Sequence, residues 1–269
     1  MTLLEHTIAA DLPVAGVRGF VTTRAGGWST GPWAAQDGTG GLNLGLGSGD
    51  SAAAVVANRR HLAALLPQDP KWLRQVHGAV VVDAEAIDAA TAADASTSIT
   101  PGTVCVVLIA DCMPVLIASR DGRGVGAAHA GWRGLAAGVI QNTVRALRTR
   151  LNDPGADLVA YLGPAIGPRH FEVGAEVRQA MRANLPDAGA AFEEIGNGKY
   201  RANLFELGRM ALAQVGVQAV RGGQDCTFAD ASRFYSYRRD RVTGRHAAVV
   251  WIDAEQTENA AAGLTPGVG

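Results

Sequence analysis

The sequence predicts a single α+β domain over residues 1–252, built from mixed β-sheets and a few helices. Apolar runs typical of buried strands lie at residues 104–110, 114–119 and 124–129, directly before an amphipathic helix. Strands and helices then follow one another without the regular alternation of a βαβ fold, which favours separate α and β layers. The length of 269 residues fits one large domain, and 48% hydrophobic with 18% charged residues is typical of a globular protein.

Elements in the first part of the chain follow from residue type and breaker residues. A strand is expected within residues 14–23, and the Gly-rich segment 25–41 is expected to form a long loop. Residues 51–66 are expected to be helical because a polar N-cap precedes them and a proline follows. Residues 84–100, rich in Ala, Asp and Thr, are expected to form a surface excursion.

The second half contains the clearest helix of the sequence, over residues 132–151, where apolar residues recur on one face and arginines occupy the other. The remaining elements are expected as a strand at 157–162, helices near 174–184 and 203–214, and a final strand at 246–252. The tail over residues 253–269 is rich in Ala, Gly and Thr, and we expect it to be flexible.

Charge and cysteine content exclude several classes of protein. The chain carries 24 Lys and Arg against 25 Asp and Glu, so its net charge of −1 argues against nucleic-acid or acidic-membrane binding. Its longest apolar run is far shorter than the roughly 20 residues of a membrane helix. Three cysteines without a signal-peptide pattern indicate a reducing compartment. We therefore expect a cytoplasmic protein.

Three residues have side chains that bind soft divalent metals: His77 in LRQVHG, Cys112 in ADCMP and His129 in AAHAGWRG. Each lies where an apolar segment meets a turn. Their spacings of 35 and 17 residues are unlike a short structural zinc motif, so a buried apolar cysteine and two structural histidines stay an alternative. A helix start after His129 would lower a nearby thiol pKa and favour a bound phosphate beside Arg133.

A further polar segment, residues 231–246, places Tyr235 and Tyr237 beside Arg238. Interleaved aromatic and guanidinium groups can stack on a base and pair with a phosphate. An exposed hairpin with solvated arginines is the alternative. The Gly- and Pro-rich run 163–174 indicates either a backbone wall beside a ligand or a tight connection.

Five segments in this order resemble the YfiH-like family, long labelled polyphenol oxidase or laccase-domain proteins. They are QVHG (75–78), ADCMPVLIA (110–118), AAHAGWRGLAAGVI (127–140), YLGPAIGPRHFEVG (161–174) and FYSYRRDRVTGRHAAVVWI (234–252). The resemblance implies a layered α/β/β/α sandwich of mixed sheets. It also implies that His77, Cys112 and His129 are metal ligands.

The activity that this resemblance implies is phosphorolysis of adenosine, inosine, guanosine and methylthioadenosine, with adenosine deamination beside it. Some bacterial members are instead described as peptidoglycan-editing factors acting on a muropeptide precursor. One segment departs from the family pattern Asn-Leu-Gly/Ser-Leu-His-Val-Gly-Asp, because Gly47 stands in place of the histidine within residues 43–50. That change leaves the substrate preference open.

The histidine count bears on one class of copper enzyme. Six histidines without a His-x-His pair exclude a multicopper oxidase, whose four coppers need about ten. A single copper site with Met113 as axial ligand stays an alternative. Zinc is favoured because three protein ligands and one open position are the layout of a catalytic zinc site.

We therefore expect a zinc enzyme that takes a nucleoside and phosphate, as a monomer or small homo-oligomer. Cys112 and His129 are predicted to be catalytic, together with Asp111 as a proton carrier and Arg133 as a phosphate ligand. For Asp111, orienting a metal ligand or capping a turn is the alternative role.

The residues predicted to bind substrate are Asn43, Gln75, Tyr235 and Arg238. Two other functions stay open. One is a metal-free hydrolase that uses a Cys112–His129 pair, including peptidoglycan editing. The other is a binding protein whose metal site is structural.

Overall fold

Two β-sheets pack face to face, and helices cover both outer faces. The computed structural model describes residues 3–254. One sheet has four antiparallel strands, in spatial order β1 (Thr7–Ala9), β2 (Val17–Thr22), β14 (His246–Ile252) and β6 (Cys105–Ile109). The other has six, in spatial order β13 (Ala219–Gly222), β9 (Leu158–Leu162), β7 (Met113–Ser119), β8 (Val125–Ala130), β5 (Ala95–Ser98) and β4 (Val81–Asp83).

The six-stranded sheet is mixed, because its outermost pair at each edge is parallel and its inner pairs are antiparallel. A separate antiparallel sheet consists of β10 (Glu172–Gly174), β12 (Lys199–Ala202) and β11 (Phe192–Gly196). The short strand β3 (Ala25–Ser29) bridges to Gly41.

The helices are α1 (Ala52–Ala63), α2 (Trp132–Ala136), α3 (Val139–Arg150), α4 (Ala175–Asn184), α5 (Leu204–Gln214) and α6 (Tyr237–Asp240). Single 3₁₀ turns lie at Leu3–His6, Gly31–Trp33, Leu46–Ser48, Ala84–Ala86 and Pro186–Ala191.

Alternating side chains of β7 explain the layering. Met113, Val115 and Ile117 enter the core beneath α3, α4 and α5, whereas Leu116 and Ala118 enter the core between the two sheets. A strand buried on both faces is apolar throughout, as the sequence is here. On the far side, α1 packs on the outer face of the four-stranded sheet. The predicted α+β class and α/β/β/α sandwich are confirmed.

The helix predicted over residues 132–151 is interrupted. Gly138 has a φ of +85° and separates α2 from α3. Its N–H donates to the Leu135 carbonyl, so it ends α2 as a left-handed capping glycine. The apolar pattern continues across this break because both helices use the same sheet face, and the pattern alone therefore did not reveal the interruption.

Several other predicted segments differ. Residues 84–100 are not only a surface excursion, because they contain β5, whose four residues are all buried between β8 and β4. Small Ala, Ser and Thr side chains let α3 lie close to this strand. The Gly-rich segment 25–41 includes β3. Residues 231–246 form α6 and turns instead of a hairpin. The strand predicted at 246–252 is confirmed.

The predicted tail begins inside the described residues. The Asp253 N–H donates to the Gly16 carbonyl, and its carboxylate pairs with Arg18. Residues 255–269 lie outside the described residues. All three cysteines are free. Within residues 3–254, every helix is too short or too polar to cross a lipid bilayer.

Replacing Gly138 with alanine should lower the free energy of unfolding by about 1–2 kcal/mol, because a side chain is strained at this φ. The added Cβ would also approach Asn184 Nδ2 at 3.2 Å. The control is Gly155→Ala, whose Cβ would meet nothing nearer than 3.7 Å. Urea unfolding of both variants, followed by circular dichroism, measures the difference. Equal unfolding midpoints for the two variants would show that Gly138 is not needed as a cap.

Candidate metal centre

His77, Cys112 and His129 converge at one end of the six-stranded sheet. Their ligand atoms all lie within 4.8 Å of one another. The two imidazole rings meet edge to face, with centroids 4.9 Å apart. A single ion can contact all three atoms at such separations, and one thiolate with two imidazoles suits a soft divalent metal. The three predicted ligands therefore form a cluster that can hold a metal.

Strand register brings two of the ligands together. β7 and β8 are neighbours, with Pro114 opposite His129 and Met113 opposite Ala130. Cys112 directly precedes β7, so its thiol lies next to the His129 end of β8. The third ligand, His77, lies in the connection before β4 and has a φ of +60°. This unusual backbone conformation needs support from outside the connection.

That support comes from Asp94, a fully buried carboxylate directly before β5. Its Oδ1 accepts hydrogen bonds from His129 Nδ1 at 2.8 Å and from the His77 N–H at 2.9 Å. Its Oδ2 accepts from the N–H groups of Gly78 at 2.7 Å and Val76 at 3.1 Å. With Nδ1 engaged, His129 presents Nε2 as its free ligand atom. One carboxylate thus orients one metal ligand and fixes the backbone of another.

Asp94 stays ionised in this setting. Burial alone would raise its pKa, but the hydrogen bonds from His129, Gly78 and Val76 and the charge of His129 lower it below its usual range. An ionised Asp94 accepts four hydrogen bonds and donates none. The ionised form of Asp94 therefore suits its surroundings, because all four of its hydrogen-bond partners are donors.

Cys112 and His129 titrate as a pair. Burial would raise the pKa of the Cys112 thiol, but the charge of His129 and hydrogen bonds from His129 and His77 lower it to about 6. Burial would lower the pKa of His129, but the Cys112 thiolate and Asp94 raise it to about 9. In the metal-free protein Cys112 is consequently a thiolate at neutral pH, which is the form that binds metal.

Asp111 connects the cysteine turn to three other segments. It has a φ of +88°. Its Oδ1 accepts from Thr227 Oγ1 and its Oδ2 from the Arg238 N–H, both at 2.6 Å. The Ile166 N–H donates to its backbone carbonyl. This geometry matches the alternative role, in which Asp111 holds the turn that presents Cys112.

Close packing around the thiol requires a glycine at position 131. A Cβ at Gly131 would lie 2.8 Å from Cys112 Sγ and 3.4 Å from His77 Cδ2. Any side chain there would push against two of the three ligands. Gly131 directly precedes α2, so the backbone at the start of this helix packs against the cluster.

The cluster lies in the wall of a cleft of about 1280 Å³. Four other residues predicted to be functional also line this cleft: Gln75, Asp111, Arg133 and Arg238. Gln75 uses its amide on the backbone, donating to the Leu108 carbonyl at 2.8 Å and accepting from the Leu108 N–H at 2.6 Å. Arg133 is exposed, and its guanidinium lies over the Trp132 ring at 4.4 Å.

Asn43 and Tyr235 do not line the cleft, which corrects the expectation that they contact substrate. Tyr235 is fully buried, and its hydroxyl lies within hydrogen-bond reach of two backbone carbonyls, those of Arg24 and Trp33, which share its one proton. Asn43 is also fully buried and caps the backbone of Gly45 and Arg245.

The exposed aromatic residue of this segment is Tyr237, with 51% of its surface accessible, and it lines the cleft. Tyr235 lies before α6 and is buried, whereas Tyr237 is the first residue of α6 and faces the opening of the cleft.

Met113, the axial ligand of the copper alternative, lies away from the metal cluster. It is fully buried in the core beneath α5, where its sulfur would lie 3.4 Å from a Cβ at Gly208. Alternation along the strand directs it away from the face to which Cys112 contributes. Met113 is therefore not placed to act as the axial copper ligand.

Sequence reasoning missed four residues of the site: Arg59, Asp94, Gly131 and Arg245. The sequence contained one signal for Asp94: it is a lone acidic residue at the start of a segment that is otherwise uncharged up to position 100. Arg59 and Arg245 have no sequence signal beyond residue type, since both are brought to the cleft by contacts with Leu44.

Comparison with known proteins gives concordant matches. Residues 18–253 match the family described as multi-copper polyphenol oxidoreductase laccase. The chain is 49% identical over 247 residues to the Pseudomonas aeruginosa protein named purine nucleoside phosphorylase PA4543, covering 91% of this chain and 98% of that one. It is 48% identical over 240 residues to the Escherichia coli K12 protein named purine nucleoside phosphorylase YfiH, covering 88% and 94%.

Solved structures agree on the fold. Neisseria meningitidis protein NMB0706 superposes with a TM-score of 0.84 at 45% identity, covering 93% of this chain and all of that one. YlmD from Geobacillus stearothermophilus superposes with a TM-score of 0.80 at 33% identity, covering 90% and 93%.

Substituting Asp94 with asparagine should weaken zinc binding by roughly 10–100-fold, because an amide cannot accept all four hydrogen bonds that orient His77 and His129. Competition with a chromophoric chelator measures the zinc dissociation constant. The matched control is Asp88→Asn, a cleft carboxylate bonded only to its own turn. Unchanged zinc affinity in Asp94→Asn would contradict the proposed role.

Substituting Gly131 with alanine should displace the Cys112 thiol and weaken zinc binding by about tenfold or more, with the fold retained. The control is Gly47→Ala, in the same cleft, where nothing lies within 4 Å of the added Cβ. The same chelator competition applies, with circular dichroism as the check on folding. Equal zinc affinities for the two variants would mean that the cluster tolerates a side chain at position 131.

Proposed function

This chain belongs to the multi-copper polyphenol oxidoreductase laccase family, and we propose that it is a zinc-dependent purine nucleoside phosphorylase. The resemblance to the YfiH-like family is confirmed by relatives of that name at 48% identity. These relatives are named as phosphorylases although the family description names an oxidase. The phosphorylase assignment of this chain is supported by those names, and its three protein donor atoms fit a catalytic zinc site.

The observation that carries the proposal is a His–Cys–His cluster in the wall of a cationic cleft. The cluster fits a zinc ion by its donor atoms, because one thiolate and two imidazoles are common zinc ligands. Bound zinc with an open coordination position supplies Lewis acidity to a reacting group in the cleft. Within residues 3–254, this is the one group of three or more His, Cys, Asp or Glu side chains close enough to share an ion.

Phosphorolysis requires an oxyanion next to the ribose. A phosphate oxygen bonds to C1′ as the bond from C1′ to the purine nitrogen breaks, and the electron pair leaves with the base, which then takes a proton. Arg133 is positioned on the cleft wall after Gly131, where its guanidinium can hold phosphate oxygens. Tyr237 and Trp132 offer aromatic surfaces in the same cleft on which a purine can stack.

Adenosine deamination is included in the proposal as a second reaction of this cleft. Water replaces the amino group at C6, and the departing ammonia needs a proton. Asp111 is the nearest carboxylate in sequence to Cys112 and lines the cleft. The proton comes from the attacking water. Because both of its oxygens already accept hydrogen bonds, Asp111 can receive that proton, and pass it on to the ammonia, only on a remaining lone pair.

A Cys–His hydrolase is the second candidate function. It is favoured by the lowered pKa of Cys112, about 6, beside an imidazole held by a carboxylate. The same thiolate cannot be both a metal ligand and a free nucleophile. Elemental analysis of the purified protein therefore separates the candidates, since one equivalent of tightly bound metal supports the phosphorylase.

A chromatographic assay that resolves products tests the proposed reaction. With adenosine or inosine as substrate, the free base should be released only when phosphate is added, whereas inosine should form from adenosine without phosphate. His77→Ala should lose roughly 100-fold or more of both activities together with bound zinc. His61→Ala, outside the cleft, is the control. Release of the free base at the same rate with and without phosphate would overturn the proposal. Full activity of the zinc-free His77→Ala variant would also overturn it.

A further inference from the structure

One carboxylate joins the metal cluster to the helix that carries two cleft residues. The single-turn helix α6 contributes Tyr237 and Arg238 to the lining of the cleft. The Arg238 N–H donates to Asp111 Oδ2 at 2.6 Å. Asp111 directly precedes the predicted metal ligand Cys112. A movement of α6 away from this oxygen therefore also breaks one of the bonds that hold the cysteine turn.

The other oxygen of this carboxylate is held by Thr227, a fully buried residue that does not line the cleft. The Thr227 hydroxyl donates to Asp111 Oδ1 at 2.6 Å. This distance lies in the range of the short hydrogen bonds that hydroxyls make to carboxylates. The Asp111 side chain thus accepts one bond from each side, from Thr227 and from α6.

The backbone of Thr227 is bonded to the same elements. Its N–H donates to the Ala165 carbonyl at 2.9 Å, and its carbonyl accepts from Arg239 Nη1 of α6 at 2.8 Å. Next along the chain from Ala165, the Ile166 N–H donates to the Asp111 carbonyl at 2.9 Å. The cysteine turn, the 165–166 segment, Thr227 and α6 therefore form one closed network of hydrogen bonds.

The turn that presents Cys112 needs this support. Asp111 has a φ of +88°, a backbone conformation that residues with a Cβ adopt at a cost. Such a conformation persists only where the surrounding structure holds it. Here the support consists of one bond to the Asp111 carbonyl and two bonds to its carboxylate. Loss of one of them lets the turn relax and shifts the thiol relative to the two imidazoles.

We propose that Thr227 is a positioning residue for two parts of the cleft at once. Through Asp111 it holds the metal ligand Cys112 on one side. Through the same carboxylate it holds α6, with Tyr237 and Arg238, on the other. The inference rests on the proposed function, because α6 carries an aromatic surface proposed to stack on the purine. It makes metal binding and the position of α6 interdependent, so that stabilising either one favours the other.

Thr227→Val tests this inference, because valine has nearly the shape of threonine and lacks the hydroxyl. A buried carboxylate oxygen then loses its donor, so zinc binding to the full chain should weaken by about tenfold. Tryptic cleavage within residues 238–241 of the zinc-free protein should become about tenfold faster, because α6 opens more often. Competition with a chromophoric chelator measures the first effect, and mass spectrometry of the fragments measures the second.

Two variants serve as comparisons. Thr227→Ser keeps the hydroxyl and should restore both readouts to within about threefold of the wild type. Thr143→Val is the matched control, because Thr143 is also fully buried, does not line the cleft and donates to the Val139 carbonyl within α3. It should change neither readout. A threonine with a purely structural role would alter the stability of the fold and leave both readouts of the folded protein unchanged.

Ser236→Ala tests the same coupling from the side of α6 and carries the test if Thr227→Val does not fold. The buried Ser236 hydroxyl accepts from the Arg239 N–H at 3.2 Å and so caps α6. Its loss should speed cleavage of α6 and, through Asp111, weaken zinc binding by about threefold or more. Circular dichroism checks the fold of each variant.

Unchanged zinc affinity and cleavage in Thr227→Val would overturn the proposal, as would a change in only one of them, because one carboxylate is assigned to both. Equal losses in Thr227→Ser and Thr227→Val would also overturn it, since the hydroxyl would then not be the cause. Neither measurement uses a nucleoside. A failure of phosphorolysis in the product assay therefore leaves this result standing, and a failure here leaves the phosphorylase result standing.

Discussion

The buried carboxylate of Asp94 is the constraint on which the site depends. It accepts hydrogen bonds from the His129 ring and from three consecutive N–H groups, including that of His77. Two metal ligands that are 52 positions apart in the chain are thereby held by the same carboxylate group. The third, Cys112, is positioned by the register of β7 on β8 and by the Asp111 turn. Rigid strands thus place the ligands, and buried hydrogen bonds fix their orientation.

Electrostatics then divide the cleft into two regions. At the cluster, the thiolate of Cys112 and the carboxylate of Asp94 concentrate negative charge around two imidazoles, which favours a bound cation. Around it, guanidinium groups lie over the rings of Trp72, Trp132, Phe171 and Tyr237 instead of pairing with acids. Such surfaces can hold an anion and a planar base together. One cleft therefore combines a cluster that can hold a metal with arginines that can hold an anion.

Much of the fold could be predicted, because long elements carry strong patterns. The runs that became β6, β7, β8 and β14, and the face of α3, were apparent from apolar periodicity. β5 was missed because its small side chains resemble a loop, and the break at Gly138 because periodicity continues across it. Metal ligands are recognisable by residue type, but Asp94 acts through a tertiary contact. Net charge also averages over the whole surface, so the value of −1 hid a local cluster of seven cations.

X-ray absorption at the zinc edge, on protein loaded with one equivalent of zinc, tests the central claim most directly. The account predicts one sulfur neighbour near 2.3 Å and two imidazole nitrogens near 2.0–2.1 Å, with a further light atom completing the shell. Cys112→Ser should remove the sulfur signal. A zinc shell made only of nitrogen and oxygen in the wild-type protein, or a sulfur signal that persists in Cys112→Ser, would contradict it.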